Sequence, residues 1–481
     1  MVMQGKPLTQ KGIWSGDVPN IMDFFVLLIF ASISFVCFDQ AFDMRLSMLH
    51  ASDFLDCIFR GVPFSFYQHV LDKASSGLYF GLDETNTAAS YNIVIYLILA
   101  IWVSPLYILK HVTFLSNYED LVNLWGRILG IGLSVYSSVI LRRLFKKIFS
   151  GQSKSRWAGY FFISSPLILY CVIITDQFDI ISVILTLLAL FLYFDKKYYS
   201  FSLIMSIAIC FKLFPLLIFV PLILLVEKNI LKLLQYVGIA VSVFAFTTIS
   251  SSCFDVGFNK VQGLLQDRHD FKDLFLMAQI PGGIKNISLF LFCIIIICSI
   301  AYFTRVKEGD LPVISCLFCA ASYASLFIFV NWHPQWFVIL LPFLTLIIFQ
   351  MKNIKIGILL ETMISAGFLL VGVPVYLIKQ HMTNTIMVTF TKSHFRLPDM
   401  LYFPAQIYPP LGQGVLPMTI FVGFLISFLV IAWFDFHSKE DPSNILEKDI
   451  RMVRILLYFR TALILIYIVP PLAAYFSTPL V

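Results

Sequence analysis

The chain is built from apolar runs that recur from one end to the other at lengths close to what a bilayer demands. Crossing ~30 Å of hydrocarbon as a helix takes about 20 predominantly apolar residues. Runs near residues 21–38, 121–141, 157–175, 178–194, 233–250, 286–304, 312–331, 335–350, 356–377, 416–434 and 455–476 meet or approach that length. Inside lipid every backbone polar group must be satisfied within the structure, which makes these runs helices. The expected fold class is therefore all-α, a polytopic membrane protein with about 11–13 membrane helices. Composition agrees: the chain is 59% hydrophobic and 13% charged over 481 residues, with a mean hydropathy of +0.87, far from a soluble domain. The first run follows Lys6 and Lys11 and has no small-residue cleavage site, so it reads as a retained first helix.

In such a protein the placement of charge matters more than its sum of +6, which gives no reason to expect nucleic acid as a partner. Residues 142–156 hold Arg142, Arg143, Lys146, Lys147, Lys154 and Arg156 with no acid among them, and they are expected in the cytoplasm. Lys196/Lys197, Lys228/Lys232, Arg305/Lys307, Lys352/Lys355 and Lys439/Lys448/Arg451/Arg454 are expected on the same side. The run Tyr91 to Leu109 is ambiguous. If it spanned, the acidic segment before it would share a side with the basic block. Residues 39–120 carry nine acids against four Lys/Arg, so they are read as one long outer loop that includes a non-spanning apolar helix. Nine cysteines lie mostly in apolar runs, where Cys acts as a small hydrophobe; Cys316 and Cys319 form a CxxC by spacing only.

Two runs are too short to cross squarely. Tyr199 to Phe211 and Leu213 to Val226 are 13 and 14 residues, or roughly 20 Å as helices. Lys212 lies between them, ahead of Phe214-Pro215. A lysine there either snorkels at an ordinary hairpin or forms the cationic floor of an outward-facing cavity.

The rare polar residues then fall on the face opposite the basic loops. Asp39, Asp43, Asp53 and Asp56 follow the first helix, and Ser52 is expected to cap a helix starting at Asp53. Asp176, Gln177 and Asp179 sit at an outer mouth, with both acids expected on one helical turn. Arg268 and His269 lie among Asp267, Asp270 and Asp273. Asn331-Trp332-His333-Pro334-Gln335-Trp336 opens a later run, and seven of eight histidines map outward. Outward carboxylates near the first span, with cations at the ends of later ones, suit a lipid-linked anionic donor and an acceptor hydroxyl to deprotonate. A polyprenyl-phosphate sugar is such a donor. No Gly-rich nucleotide loop, P-loop or HExxH motif appears in the sequence.

At these residues the chain resembles the GT-C superfamily of integral-membrane glycosyltransferases, especially those using dolichyl-phosphate-glucose, and more loosely bacterial polyprenyl-phosphate-mannose enzymes. The landmarks run in order over residues 53 to 342: Asp53-Phe54, Arg127, Asp176-Gln177-Phe178-Asp179, Cys210-Phe211-Lys212-Leu213, Asp267 through Asp273, and His333 through Pro342. There are departures. His333-Pro334-Gln335 stands where the family has His-Glu-Lys, Asp179 replaces an Asn, and the outer helix lacks a downstream Arg-His-Trp.

The resemblance implies a catalytic membrane module over 1–350, with outer loops 39–120 and 251–285. The helices of 351–481 follow it, with a proline-rich outer loop at 378–415. It implies inverting transfer of a hexose to a glycan or glycolipid acceptor on the extracytoplasmic face, and no cofactor, since the members resembled are metal-independent, although the outer acids are of a kind that could hold a divalent ion. Asp53 is the expected base and Asp56 its alternative, with Asp176 and Asp179 next in line and Asp39 and Asp43 solvated. Arg268, His333, Lys212 and Arg127 are expected at the donor phosphate. Asp176, Gln177, Asp179, Trp332, Gln335 and His269 are expected to contact substrate. A flippase or transporter for lipid-linked substrates and a polysaccharide polymerase are the competing classes; a transporter normally shows internal repeats, and none is found here. High Ile, Phe and Lys content favours a bacterial plasma membrane over the ER.

Overall fold

The structure, a computed structural model, describes residues 18–37, 42–77, 87–113, 117–149, 152–268, 278–282, 285–330, 332–376, 415–437, 445–466 and 468–469. These are almost wholly helical; the one pairing of strands is the two-residue ladder of Gln279–Ile280 with Ile287–Ser288. Six helices among the described residues are long and apolar enough to cross a membrane: Ile93–Thr113, Tyr118–Ile148, Gln152–Ile174, Ile230–Phe254, Leu311–Phe329 and Leu416–His437. Five shorter apolar helices accompany them. The protein is an all-α, membrane-embedded bundle.

In chain order, α1 is Ile21–Cys37, α2 Phe42–Phe59, α3 Phe66–Ser75, α4 Ile93–Thr113, α5 Tyr118–Ile148 and α6 Gln152–Ile163. Then come α7 Asp179–Phe194, α8 Tyr198–Phe211, α9 Pro215–Val226, α10 Ile230–Phe254 and α11 Val256–Arg268. The last are α12 Leu289–Phe303, α13 Leu311–Phe329, α14 Leu341–Ile348, α15 Ile354–Tyr376, α16 Val415–His437 and α17 Ile445–Ala462. Local chemistry sets several of the boundaries. Asn20 caps α1 by accepting from Met22 and Asp23 N–H, Asn229 caps α10, and Ser288 caps α12. Pro215 and Pro342 occupy first-turn positions where a missing N–H costs nothing.

Segment 39–120 is mostly helix rather than loop. Its apolar run forms α4, 21 residues that are long and apolar enough to cross, where a non-spanning helix was expected. The run 335–350 is not one spanning helix. Pro334–Ile339 is a 3-10 turn and α14 has eight residues, the two meeting at Leu340, with Phe337 through Ile348 buried among other helices. The run expected at 455–476 begins earlier, because α17 opens at Ile445. Residues 378–414 lie outside the described residues.

Two apolar cores meet at the bundle's polar end. The larger gathers α6, α7, α9 and α13 to α17; the smaller packs α2, α3 and α4 around Tyr96, Phe66 and Phe54, and includes Phe178, Ile181 and Phe211 from the start of α7 and the end of α8. The opposite end of α7 carries the basic loops. There Lys147 pairs with Asp195 at 2.5 Å and Lys196 with Glu308. The 16 residues of α7 put the two ends roughly 24 Å apart.

Two buried ion pairs lock the C-terminal helices to the rest. Arg460 on α17 reaches Glu361 on α15 through two nitrogens, and its third donates to the Phe161 carbonyl at 2.8 Å. Arg454, expected in a cytoplasmic loop, is instead fully buried and lies 3.3 Å from Asp23 on α1. Tyr458 donates to the same carboxylate at 2.6 Å.

Candidate functional site

The site forms where two helices end. α8 stops at Phe211 because Lys212 takes an extended backbone, φ −155 and ψ 146, and Pro215 starts α9 after a short turn. The lysine side chain is 16% exposed and points back at the start of α7, where Asp179 is fully buried. Its Nζ lies 3.6 Å from Asp179 Oδ1, an ion pair just beyond hydrogen-bonding reach. Neither carboxylate oxygen of Asp179 has a hydrogen-bond partner among the described residues. Three rings surround the ammonium: Tyr91 at 5.0 Å, Phe178 at 5.7 Å and Trp336 at 5.9 Å. Trp336 also packs on Phe214 and on the His333 imidazole, with centroids 4.8 and 5.1 Å apart.

Tyr91 links this pair to the first outer helix. Its hydroxyl lies 3.5 Å from Asp43 Oδ2, a long contact, and burial followed by the nearby charge of Asp43 and Asp179 pushes the phenol well above its usual value, which keeps it a neutral donor. Asp43, expected in solvent, is half-buried and close enough for its charge to act on Asp179. Asp43, Tyr91, Asp179 and Lys212 are thus one constellation.

Asp176 and Asp179 do not share a helical turn. A π-helical stretch, Leu169–Ile174, ends before them, α7 starts only at Asp179, and Asp176 adopts a left-handed φ of 42 that Asp tolerates better than most residues. Asp176 is buried against α5 at Gly130, where an added Cβ would stand 2.9 Å from its Oδ1. Buried Gln177 donates to the Thr175 carbonyl at 3.3 Å, and its Oε1 accepts no hydrogen bond among the described residues. One turn before Gly130, Arg127 stacks on Phe35 at 3.7 Å and donates to the Phe35 carbonyl at 2.5 Å, at the end of α1.

Asp53 and Asp56 belong to a second cluster. Ser52 does not cap their helix: α2 starts ten residues earlier, and Ser52 sits inside it, donating to the Met48 carbonyl at 3.2 Å and bonding Tyr118 OH at 2.6 Å. Lys73 of α3 donates to Asp53 and lies 3.8 Å from Asp56, which also accepts from Tyr107 OH at 2.6 Å. Ten residues of α2 separate Asp43 from Asp53, about 15 Å along the axis. The two groups cannot act on one bond together.

The remaining expected residues are dispersed. Trp332 is buried, donates to the Phe327 carbonyl at 2.8 Å and stacks on Phe368. Gln335 is half-buried beside Trp336. Arg268 ends α11, but its side chain, with His269 and the acids through Asp273, lies outside the described residues. Sequence reasoning missed Tyr91, which an isolated aromatic at a helix entry gave no reason to single out. Comparison with known proteins adds no relative, since neither a family model nor a curated protein matches the chain.

Proposed function

We propose that this protein is an integral-membrane glycosyltransferase that moves a sugar from a polyprenyl-phosphate carrier to a hydroxyl acceptor, with its reacting groups at Asp43, Asp179 and Lys212. The observation that carries the reading is the Asp179–Lys212 pair: a buried carboxylate that accepts no hydrogen bond among the described residues, beside a ring-enclosed ammonium, at the ends of helices of 16 and 14 residues. Helices of that length reach roughly 24 and 21 Å, shorter than a ~30 Å hydrocarbon layer, which supports a site reached from within the lipid boundary. A phosphate anchored in lipid by its polyprenyl chain is the kind of anion that would meet a lysine at the lipid boundary.

In this reading the acceptor O–H gives its proton to a carboxylate as its oxygen forms a bond to the anomeric carbon. The bond from that carbon to the phosphate oxygen breaks with inversion, and the electron pair leaves on polyprenyl phosphate. Asp43 fits the base, being half-buried and joined to the pair through Tyr91. Lys212, with Arg127, His333 and Arg268 as further candidates, offsets the charge growing on the leaving phosphate. Asp53, held by Lys73 about 15 Å along α2, fits the base less well. The outward orientation of this end, opposite the Lys147–Asp195 side, rests on the charge bias of the loops.

The test is to incubate the purified full chain with a panel of polyprenyl-phosphate monosaccharides and acceptors and measure released polyprenyl phosphate. Turnover with one of them is expected, reduced about 10²–10⁴-fold in Asp43→Asn. Loss in Asp53→Asn with Asp43→Asn unaffected moves the base to the second cluster. Release from no donor in the panel sinks the reading.

A further inference from the structure

Away from the Asp179–Lys212 pair, α2 and α3 face each other through four chemistry-bearing side chains. Asp53 and Asp56, three residues apart on α2, share one face, and His69 and Lys73, four apart on α3, share the face opposite. One ligand atom each from Asp53, Asp56 and His69 can be chosen so that all lie within 4.8 Å of one another. The His69 Nε2 is enclosed and has no hydrogen-bond partner among the described residues. A buried ring nitrogen left without a partner calls for an explanation. Lys73 neutralises the two carboxylates, but its side chain is 29% exposed, against 8% and 16% for the acids, so it can leave toward solvent.

We propose that Asp53, Asp56 and His69 bind a divalent transition metal of the zinc class, with the Lys73 ammonium as the internal cation that the metal displaces. One imidazole and two carboxylates form a borderline nitrogen and oxygen set, which suits zinc and leaves a fourth position for water. The metal gives the His69 nitrogen the partner it lacks and bridges α2 to α3. Tyr107, donating to Asp56 at 2.6 Å, orients that carboxylate from behind. None of this depends on the transfer reaction proposed above.

The experiment strips the purified full chain with a chelator and titrates it with Co²⁺, read by its visible absorption, and with Zn²⁺, read by competition with a chromophoric chelator. One equivalent is expected to bind. His69→Gln and Asp56→Asn each weaken binding at least about tenfold, and Tyr107→Phe weakens it about tenfold. Lys73→Met tightens it, because the competing ammonium is gone. Failure of both the wild type and Lys73→Met to bind either metal overturns the proposal, as does an affinity that His69→Gln leaves unchanged. If His69→Gln does not fold, the opposite shifts of Lys73→Met and Tyr107→Phe decide it, and no shift in either counts against the site.

Discussion

Two buried acid–base pairs in this molecule are built to opposite standards. Around Glu361–Arg460 both carboxylate oxygens and all three guanidinium nitrogens have hydrogen bonds, and Ser365 adds another to Glu361 at 3.1 Å. Around Asp179–Lys212 the separation is 3.6 Å and the carboxylate accepts no hydrogen bond among the described residues. Charge inside a membrane bundle is costly unless its desolvation is offset by partners. The first pair meets that cost locally and serves as a fastener between α15 and α17. The second leaves it unmet among the described residues, a local loss of stability that fits the role proposed for it above.

The sharpest way to break the comparison is to remove the acid from each pair. Glu361→Leu strands the fully buried Arg460 guanidinium and should cost about 3–5 kcal/mol of stability, seen as a lowered unfolding midpoint in detergent. Adding Arg460→Met should recover much of it, because a matched apolar pair leaves no orphaned charge. Asp179→Asn should cost less than about 1 kcal/mol, or even stabilise, since the lysine is partly exposed and its partner was poorly satisfied. Equal losses in the two variants would show that the pairs play the same role.

How much of this could be read in advance depended on sequence distance. The helices were legible from apolar runs, and Lys212 stood out because it interrupts two of them. Glu361 and Arg460 were not legible as a pair, since each is a single charge in its own helix and they are 99 residues apart. Asp23 and Arg454 are separated by 431 residues, and Arg454 read as one more basic loop residue until folding buried it on α1. Ser52 was misread as a cap because Ser-Asp is a valid start signal anywhere, and only packing against α4 shows that α2 had begun at Phe42. Asp43 looked like a solvated loop acid, and its closeness to Asp179 is a tertiary fact that no local pattern encodes.

The α2 region offers a second test, by pH. Burial pushes His50 down to about 4, against 6.5 in the unfolded chain, and the bond from its Nε2 to the Thr87 carbonyl at 2.9 Å offsets that only in part. Between those values the unfolded chain binds the extra proton, so stability is complete above pH 6.5 and falls as pH drops toward 4. At pH 5 the loss from this group should be about 2 kcal/mol. His50→Gln should lack that component, so the stability difference between variant and wild type should change between pH 7 and pH 5. A constant difference would mean His50 charges without cost, and that the α2–α3 core is looser than its packing implies.

The smallest effect expected on stability is also the most selective for the site. Gly130 faces Asp176, and a methyl group there would meet Oδ1 at 2.9 Å, closer than a real Cβ contact allows. The atom in the way belongs to a side chain whose backbone already holds a left-handed φ of 42, so the carboxylate rather than α5 should yield. Gly130→Ala gains helix propensity of up to about 1 kcal/mol, which offsets part of the crowding, and net stability should shift by less than about 1 kcal/mol. Transfer activity, if Asp176 contacts substrate, should fall roughly tenfold or more, since a displacement of about 1 Å can cost as much as 10²-fold. A control at Gly257 separates this from crowding in general. There a Cβ would meet the Gln68 and Tyr67 backbone at 2.1 and 2.6 Å, so Gly257→Ala should lower stability by about 1–3 kcal/mol by forcing α11 off α3. Gly130→Ala with full activity would place Asp176 outside the working site and leave Asp43, Asp179 and Lys212 to act without it.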